Sequence, residues 1–223
     1  MSIDQAWLTL RLDGPLQSWG FDSQYNRRST GLMPTKSAIA GMCCAAFGAD
    51  RGSEKERQIL LKFSTLRMTS ISIPREIHDR KLAVHRLQDY HTIQNSRKAD
   101  GKIKDCHITQ RLYLTDAGFA VILFGSRMVC SELAEGLRNP KWGIWLGRKT
   151  CIPTAPVLVG VFDSQEEALK PILKGQPIEF FTRQEEVETF SDGLDSLQDQ
   201  AVSFLSSNRE FSPRRVRIIQ GKA

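Results

Sequence analysis

The apolar run at residues 118–125, GFAVILFG, constrains the fold more than any other segment of this 223-residue chain. Its length and its β-branched and aromatic residues predict a strand that is fully buried in a sheet. Residues 112–114, within the sequence RLYL, predict a strand before it, and residues 115–117 predict the turn that joins the two. Other elements of the chain must therefore cover this strand.

The remaining elements are predicted by periodicity and by capping residues. Residues 6–12, AWLTLRL, alternate in polarity, which predicts a half-buried first strand with three leucines on one face. Residues 37–48, SAIAGMCCAAFG, predict a helix with Thr35 or Ser37 near its N-cap and Gly48 at its end. Similar patterns predict a helix at 131–138 and strands at 66–74, 156–162 and 214–221.

The order of these elements predicts an α+β, ferredoxin-like fold. Without the segment at about 75–111, the order is β, α, β, β, α, β, as in a split βαβ unit or an RRM. We expect one domain over residues 1–163, with a smaller β-rich C-terminal extension over residues 164–223 packed on it. The weak periodicity of residues 75–111 leaves open a long hairpin or an irregular insertion.

Positive charge is concentrated in that insertion. The chain has a net charge of +6, which favours a polyanionic partner. Residues 75–111 hold nine Lys or Arg against five acids, and all four histidines, whereas acids are concentrated in residues 165–199. Because Arg and Lys neutralise phosphates and aromatic faces stack on unpaired bases, RNA is the partner that fits most of the chain.

Residues 141–153, KWGIWLGRKTCIP, have the composition of a nucleic-acid-binding turn. The glycine permits a close backbone approach, the two adjacent cations offer donors to an anion, and the tryptophans offer flat faces to a base. The candidate RNA contacts in this turn are Trp145, Gly147, Arg148, Lys149 and Thr150. The same composition is also consistent with a tryptophan-anchored surface turn that carries a solvated basic pair.

Lys36 and Ser37 invite comparison with a phosphate-binding P-loop. The comparison fails, because Thr30 and Thr35 stand where the two glycines of that motif belong. A helix N-terminus beside Lys36 can still bind a phosphate through its free N–H groups. Simple capping by Ser37 is an equally good interpretation.

His91 is a candidate for catalysis of RNA cleavage. That reaction needs a base and nearby cations, and His91 stands beside Tyr90, with Arg86 and Arg97 close in sequence. A structural hydrogen bond or a stacked base is the interpretation that we prefer for His91. The spacings of the histidines and cysteines match no metal site, so we expect no metal and no other cofactor.

A cytoplasmic location without a membrane contact is also expected. No apolar run approaches the roughly 20 residues of a membrane helix. The N-terminal residues show no secretory signal, and five cysteines without a CxxC pair are typical of reduced thiols.

Four motifs resemble those of one known family. They are GPLQSWG at 14–20, PTKSAIAGM at 34–42, LQDYHTIQ at 87–94 and LGRKTCIPTAP at 146–156. In this order and spacing they resemble the CasD family of the Cascade complex of type I-E CRISPR systems, within the repeat-associated mysterious protein (RAMP) superfamily. The resemblance is close over residues 6–162 and loose beyond them.

The resemblance implies a ferredoxin-like core from which an extended hairpin, the thumb, projects at residues 75–111. It implies a subunit that caps one end of the complex and holds the 5′ handle of the CRISPR RNA (crRNA). The thumb would hook over the guide next to the first backbone subunit. The partners implied are crRNA, backbone subunits, the large subunit and, only through the complex, target DNA.

Carried onto this chain, the resemblance implies that Gly147, Arg148 and Lys149 grip the handle. Lys36 and Ser37 would lie near it, and the loop with Gln17 and Trp19 would contact the same RNA or support the site. The full set of RNA-binding candidates is Gln17, Trp19, Arg27, Lys36, Ser37, Arg86, Tyr90, His91, Trp145, Gly147, Arg148, Lys149 and Thr150.

One departure bears on catalysis. In type I-C systems the related subunit cuts precursor crRNA with a tyrosine from the first helix and a lysine and histidine elsewhere. Here that helix ends in CAAFG, with Phe47 and no tyrosine. We therefore expect a non-catalytic RNA-binding subunit. The alternatives are a metal-independent endoribonuclease that uses His91 and Tyr90, and a basic protein–protein adaptor.

Overall fold

The computed structural model describes residues 4–20, 22–23, 26–78, 80–98, 100–189, 191–193 and 195–222. The helices of the described residues are α1 (Lys36–Phe47), α2 (Glu54–Ser64), α3 (Arg127–Arg138) and α4 (Gln165–Leu173), with a 3₁₀ turn at Ile178–Phe180. The strands are β1 (Gln5–Asp13), β2 (Leu16–Gln17), β3 (Arg27–Arg28), β4 (Arg67–Ser72), β5 (Glu76–Ile77), β6 (Arg80–Lys81), β7 (His85–Arg97), β8 (Ile103–Thr115), β9 (Gly118–Ser126), β10 (Leu158–Phe162), β11 (Arg183–Val187), β12 (Asp195–Ser203) and β13 (Glu210–Ile219).

Seven strands form the main sheet, in the order β10-β1-β9-β4-β11-β13-β12, with antiparallel neighbours throughout. The predicted buried strand is β9, which lies between β1 and β4 and is buried from Gly118 to Leu123. Three C-terminal strands, β11 to β13, continue the same sheet beyond β4. The division at residue 163 stays a prediction.

Both faces of the sheet are covered around β1. Leu8, Leu10 and Leu12 pack with α1, α2 and α3 on one face, as their alternation predicts. The other face carries α4, and the hydroxyl of Thr9 donates to the carbonyl of Ala168 in that helix. Thr9 is therefore fully buried, and the expectation of a half-buried strand is wrong there, because α4 contributes a second layer.

The helix predictions were correct for α1 and incomplete elsewhere. Thr35 caps α1 by accepting from the N–H of Ala38, and Gly48 ends it in the left-handed conformation. Helix α3 begins at Arg127, four residues before the predicted start. Helix α2 was not predicted, although residues 53–56 have the sequence pattern of a capping box. Ser53 accepts from the N–H of Glu56, and the Glu56 carboxylate accepts from the N–H of Gly52.

The insertion is a regular hairpin, which resolves the alternatives that the sequence left open. Strands β7 and β8 have 13 residues each and pair antiparallel without a register shift. Strand β8 continues past the predicted boundary at residue 111 as far as Thr115, so RLYL is the base of the hairpin. We call β7 and β8 the thumb. Among the described helices, none is both long and apolar enough to cross a membrane.

Candidate nucleic-acid interface

Four segments that are distant in sequence meet at the root of the thumb, along the edge of β8 that faces away from β7. Strand β2 pairs with the end of β8, and β3 pairs with it further along. Between these short strands, the guanidinium of Arg148 donates to the carbonyl oxygens of Leu112 (3.1 Å) and Arg28 (2.8 Å). Arg148 thus takes the place of a missing backbone partner at this edge.

Gly147 is required by the packing of this turn. Its φ is +98°, and a Cβ atom there would lie 1.8 Å from the carbonyl oxygen of Ser18. The N–H of Ser18 donates to the carbonyl of Leu146 at 3.0 Å, which joins the turn to the GPLQSWG loop. The sequence predicts that the backbone at Gly147 approaches a binding partner closely. In the structure it approaches Ser18 of the same chain, which occupies the space beside the glycine.

The side chains of the turn divide into held and free groups. Arg148 is half-buried, with its guanidinium carbon 4.6 Å from the ring centre of Tyr113. Lys149 and Thr150 are exposed, and Lys149 forms no hydrogen bond or ion pair within the described part of the chain. Trp145 is half-buried against Gly143. Lys149, beside the held Arg148, is thus a cation of this turn that is available to a phosphate.

Gln17 and Trp19 support the root from inside. The Nε2 of Gln17 donates to the carbonyls of Leu12 (3.0 Å) and Ala117 (2.7 Å). Trp19 is fully buried and meets Phe119 edge-on, with 6.4 Å between ring centres. Their prediction as direct RNA contacts is wrong for this conformation, because neither side chain reaches the surface. The predicted alternative, support of the site, fits the geometry.

Lys36 also differs from its prediction. Its side chain is fully buried, and its ammonium donates to both oxygens of Glu186 (2.8 and 3.0 Å) and to Gln200 (2.9 Å). Burial lowers the pKa of Lys36, and the Glu186 carboxylate counteracts part of that effect. The ammonium is already surrounded by acceptors, so it has no donor left for RNA.

The N-terminus of α1 is likewise occupied by the protein. The backbone N–H of Lys36 donates to a carboxylate oxygen of Asp199 at 2.8 Å. Ser37 is half-buried, and its hydroxyl donates to that of Thr35. The predicted phosphate site at Lys36 and Ser37 therefore holds a carboxylate from β12 instead.

The thumb has two distinct faces. Residues directly opposite in an antiparallel pair share a face, and successive residues alternate between faces. One face contains no acidic residue, and we call it the acid-free face. Its members are Arg86, Gln88, Tyr90, Thr92, Gln94 and Ser96 with their partners Leu114, Leu112, Gln110, Ile108, Cys106 and Lys104. Tyr90 is 63% exposed there, as a stacking platform requires.

His91 lies on the opposite face of the thumb. Its Nδ1 is 3.4 Å from a carboxylate oxygen of Asp89, and its cross-strand partner is Thr109. Because consecutive strand residues point to opposite faces, Tyr90 and His91 cannot act together on one phosphate. The proposed catalytic pair is therefore not assembled. Tyr113, below Arg148, shares the face of His91.

Arg27 is exposed on β3, beside the turn that holds Arg148. The structure therefore gathers Arg27 and the 147–150 turn at the thumb root, with Gln17 and Trp19 beneath. It places Arg86 and Tyr90 on the acid-free face and Lys36 in the interior. Tyr113 and Ser18 were missed, since nothing in the local spacing links them to the turn, 35 and more residues away.

The comparisons with known proteins decide the family. A family model described as CRISPR-associated protein (Cas_Cas5) matches residues 7–217. The chain belongs to the Cas5 family. The CRISPR system Cascade subunit CasD of Escherichia coli (strain K12) is 30% identical over 222 residues, which cover 97% of each chain. The family resemblance drawn from the four motifs is thus confirmed.

Solved structures agree with this assignment to the Cas5 family. A chain of a CRISPR RNA-guided surveillance complex matches with a TM-score of 0.74 and 27% identity, covering 96% of this chain and 89% of that chain. A crystal structure of a Cas protein matches with a TM-score of 0.67 and 31% identity, covering 95% and 93%. The mixed α and β architecture described above is therefore shared with these two solved chains.

Proposed function

We propose that this Cas5 chain is a non-catalytic subunit of a CRISPR RNA-guided surveillance complex and that it holds the 5′ handle of crRNA. The proposal is supported by its similarity, over nearly the whole chain, to a Cascade subunit and to a chain of a surveillance complex. The partners would be crRNA, the adjacent backbone subunit and the large subunit, in the cytoplasm. Target DNA would be reached only through the complex.

The observation that carries the proposal is the construction of the thumb root. Gly147 packs on Ser18, and Arg148 is held by two carbonyl oxygens and by the ring of Tyr113. These contacts hold the backbone around Lys149, so that this exposed cation is presented at a defined place. A held backbone limits where the free side chain of Lys149 can reach, which removes part of the entropic cost of a phosphate contact.

The acid-free face provides the second half of the interface. Arg86 lies on the same face as Tyr90, with Gln88 between them, and Lys104 lies further along this face towards the thumb tip. A strand of RNA that contacts both Lys149 and Tyr90 has to cross an edge of the thumb, because Arg148 lies over Tyr113 on the face of His91. This path agrees with a thumb that hooks over a guide.

Two features support the absence of catalysis. Phe47 stands at the end of α1, where the family resemblance places the tyrosine of the cleaving relatives, and its ring packs against Gly136 of α3, where a Cβ would lie 2.7 Å away. The separation of Tyr90 from His91 removes the other candidate pair. The core from β1 to β10, with strand order β10-β1-β9-β4, supports the ferredoxin-like description.

The test is retention of RNA by purified complexes that carry Lys149→Ala. Five engaged phosphates give a log–log salt slope of about −3.5, and the loss of one contact reduces its magnitude by about 0.7. Lys170→Ala, at an exposed lysine on α4, is the matched control and should leave the slope unchanged. If the two variants had the same log–log salt slope, Lys149 would not contact a phosphate in the complex.

The same complexes test the alternative activity. Incubation with repeat RNA without divalent ions should yield no product for the wild-type chain. Specific cleavage that His91→Ala abolishes would establish the endoribonuclease and overturn the non-catalytic proposal. Assembly that needs no RNA and does not respond to salt would instead support the adaptor.

A further inference from the structure

A cavity of about 470 Å³ lies at the thumb end of the main sheet, on the face covered by α4. Its floor is formed by the buried side chains of Ile73, Ile172 and Phe181. Pro74 and Pro171 add flat apolar surfaces to its lining. This volume falls within the range of about 300–1,000 Å³ that is usual for small-molecule sites.

Val159 is aimed at this cavity by a β-bulge. Thr9 pairs with Gly160 and Leu10 pairs with Leu158, so Val159 is an extra residue without a partner on β1. Bulges redirect side chains and are frequent beside functional sites. Val159 lines the cavity and is 37% exposed, an apolar side chain that the fold leaves partly uncovered.

Polar groups surround the apolar floor. Arg11 and Asp13 form an ion pair of 2.6 Å between Nε and Oδ2 along one wall, where the other nitrogens of Arg11 add donors. Lys174 and Gln176 line the opposite side and are exposed. Donors and acceptors around flat apolar surfaces are the combination that an unpaired nucleobase requires.

The cavity adjoins the thumb root. The N–H and hydroxyl of Thr154 both donate to the carbonyl of Asp13, which joins the chain that follows the Lys149 turn to the cavity wall. Four residues lie between Lys149 and Thr154, so the path from one to the other has five steps and is at most about 17 Å long. Arg75, another lining residue, is bound to Asp116 at the thumb base.

We propose that this cavity receives one unpaired base of the RNA whose backbone is held at the thumb root. The inference rests on the proposed RNA-binding function and adds a base site to it. A base enters between the prolines and over Phe181, with its polar edge towards Arg11 and Gln176. A protein side chain is a less good occupant, because the opening of the cavity lies close to Lys149, where the RNA backbone is proposed to be held.

The experiment uses the purified complex with synthetic repeat RNA from the host's own CRISPR array, labelled with 2-aminopurine at one position at a time. In the wild type, one position should show fluorescence that is protected from a soluble quencher. Val159→Trp fills the cavity and should abolish that protection and weaken binding roughly tenfold, as expected for one stacked base. Salt dependence should stay unchanged, because no phosphate contact is lost.

Val202→Trp is the matched control, since Val202 is 43% exposed on β12 and does not line the cavity. Gln176→Ala, at an exposed position, tests the cavity in a variant that keeps the core intact, and should reduce the same protection. The base site would be overturned if the labelled position that is protected from the quencher in the wild type stayed equally protected in both Val159→Trp and Gln176→Ala. Loss of all RNA from the wild-type complex would instead overturn the proposed function.

Discussion

Replacement of Gly147 by alanine tests the construction of the thumb root directly. The added Cβ would lie 1.8 Å from the carbonyl oxygen of Ser18, whereas ordinary contact begins near 3.4 Å. The turn or the loop must therefore move by about 1.6 Å. A shift of that size breaks the 3.0 Å hydrogen bond from Ser18 to Leu146 and disturbs both bonds of Arg148.

These losses set the expected magnitude. A non-glycine residue held at positive φ costs about 1–3 kcal/mol, and each of three disturbed hydrogen bonds contributes about 1 kcal/mol. We therefore expect Gly147→Ala to lower the free energy of unfolding by about 4–6 kcal/mol. For a chain of this length that corresponds to a melting temperature roughly 10 °C lower, which calorimetry or urea unfolding can measure.

Gly175→Ala separates the steric cost from the backbone cost. Gly175 has a similar φ of +83°, but a Cβ there would meet nothing within 4 Å. Its replacement should cost only the backbone strain, about 1–3 kcal/mol. Equal destabilisation by the two variants would refute the argument that the contact with Ser18 requires glycine at position 147.

Three further predictions concern the interior and the thumb. Lys36→Met breaks a buried ion pair and should lower the free energy of unfolding by about 3–5 kcal/mol. The double variant Lys36→Met/Glu186→Leu should recover part of this loss. Urea unfolding of both variants checks this prediction, and no recovery in the double variant would contradict an ion pair between Lys36 and Glu186. The pKa of Lys36 is lowered from 10.5 by burial, so the unfolded chain holds that proton to higher pH. The stability of the wild type should therefore rise relative to that of Lys36→Met as pH approaches 10.5. If the urea midpoint of the wild type instead fell relative to that of the variant, the pKa of Lys36 would be raised in the folded protein and not lowered. Tyr90→Ala should cost about 1–3 kcal/mol of RNA binding while Tyr90→Phe retains it, as titration of labelled RNA measures; equal losses would exclude stacking.

The sequence predicts those parts of the fold whose causes are local. Alternating leucines identify β1, and Thr35 and Gly48 identify the ends of α1, because caps and periodicity act within a few residues. Strand β11, with the sequence RQEEV, has no such signal. Glu185 of this strand forms a cross-strand ion pair with Arg217 of β13, which depends on a pairing that spans more than 30 residues, and a second ion pair with Arg183 of the same strand.

The candidate site shows the same limit. Its basic and aromatic residues are visible in the sequence, and their motifs do meet at the thumb root. The separation of Lys36 from that root could not be predicted, because Glu186 and Asp199 lie 150 or more residues away and no spacing rule connects them. Likewise, the opposite orientations of Tyr90 and His91 follow from strand geometry, which becomes certain only once β7 is known to be regular.

The joint between thumb and sheet has a mechanical consequence. Strand β8 passes into β9 through Asp116 and Ala117 alone, and Gln17 and Arg75 hold these two residues. A force on the thumb tip is thus transmitted along one continuous backbone to the centre of the main sheet. Because both residues of this joint are held by side chains of the main body, we infer that the thumb keeps its angle to the sheet when no ligand is bound.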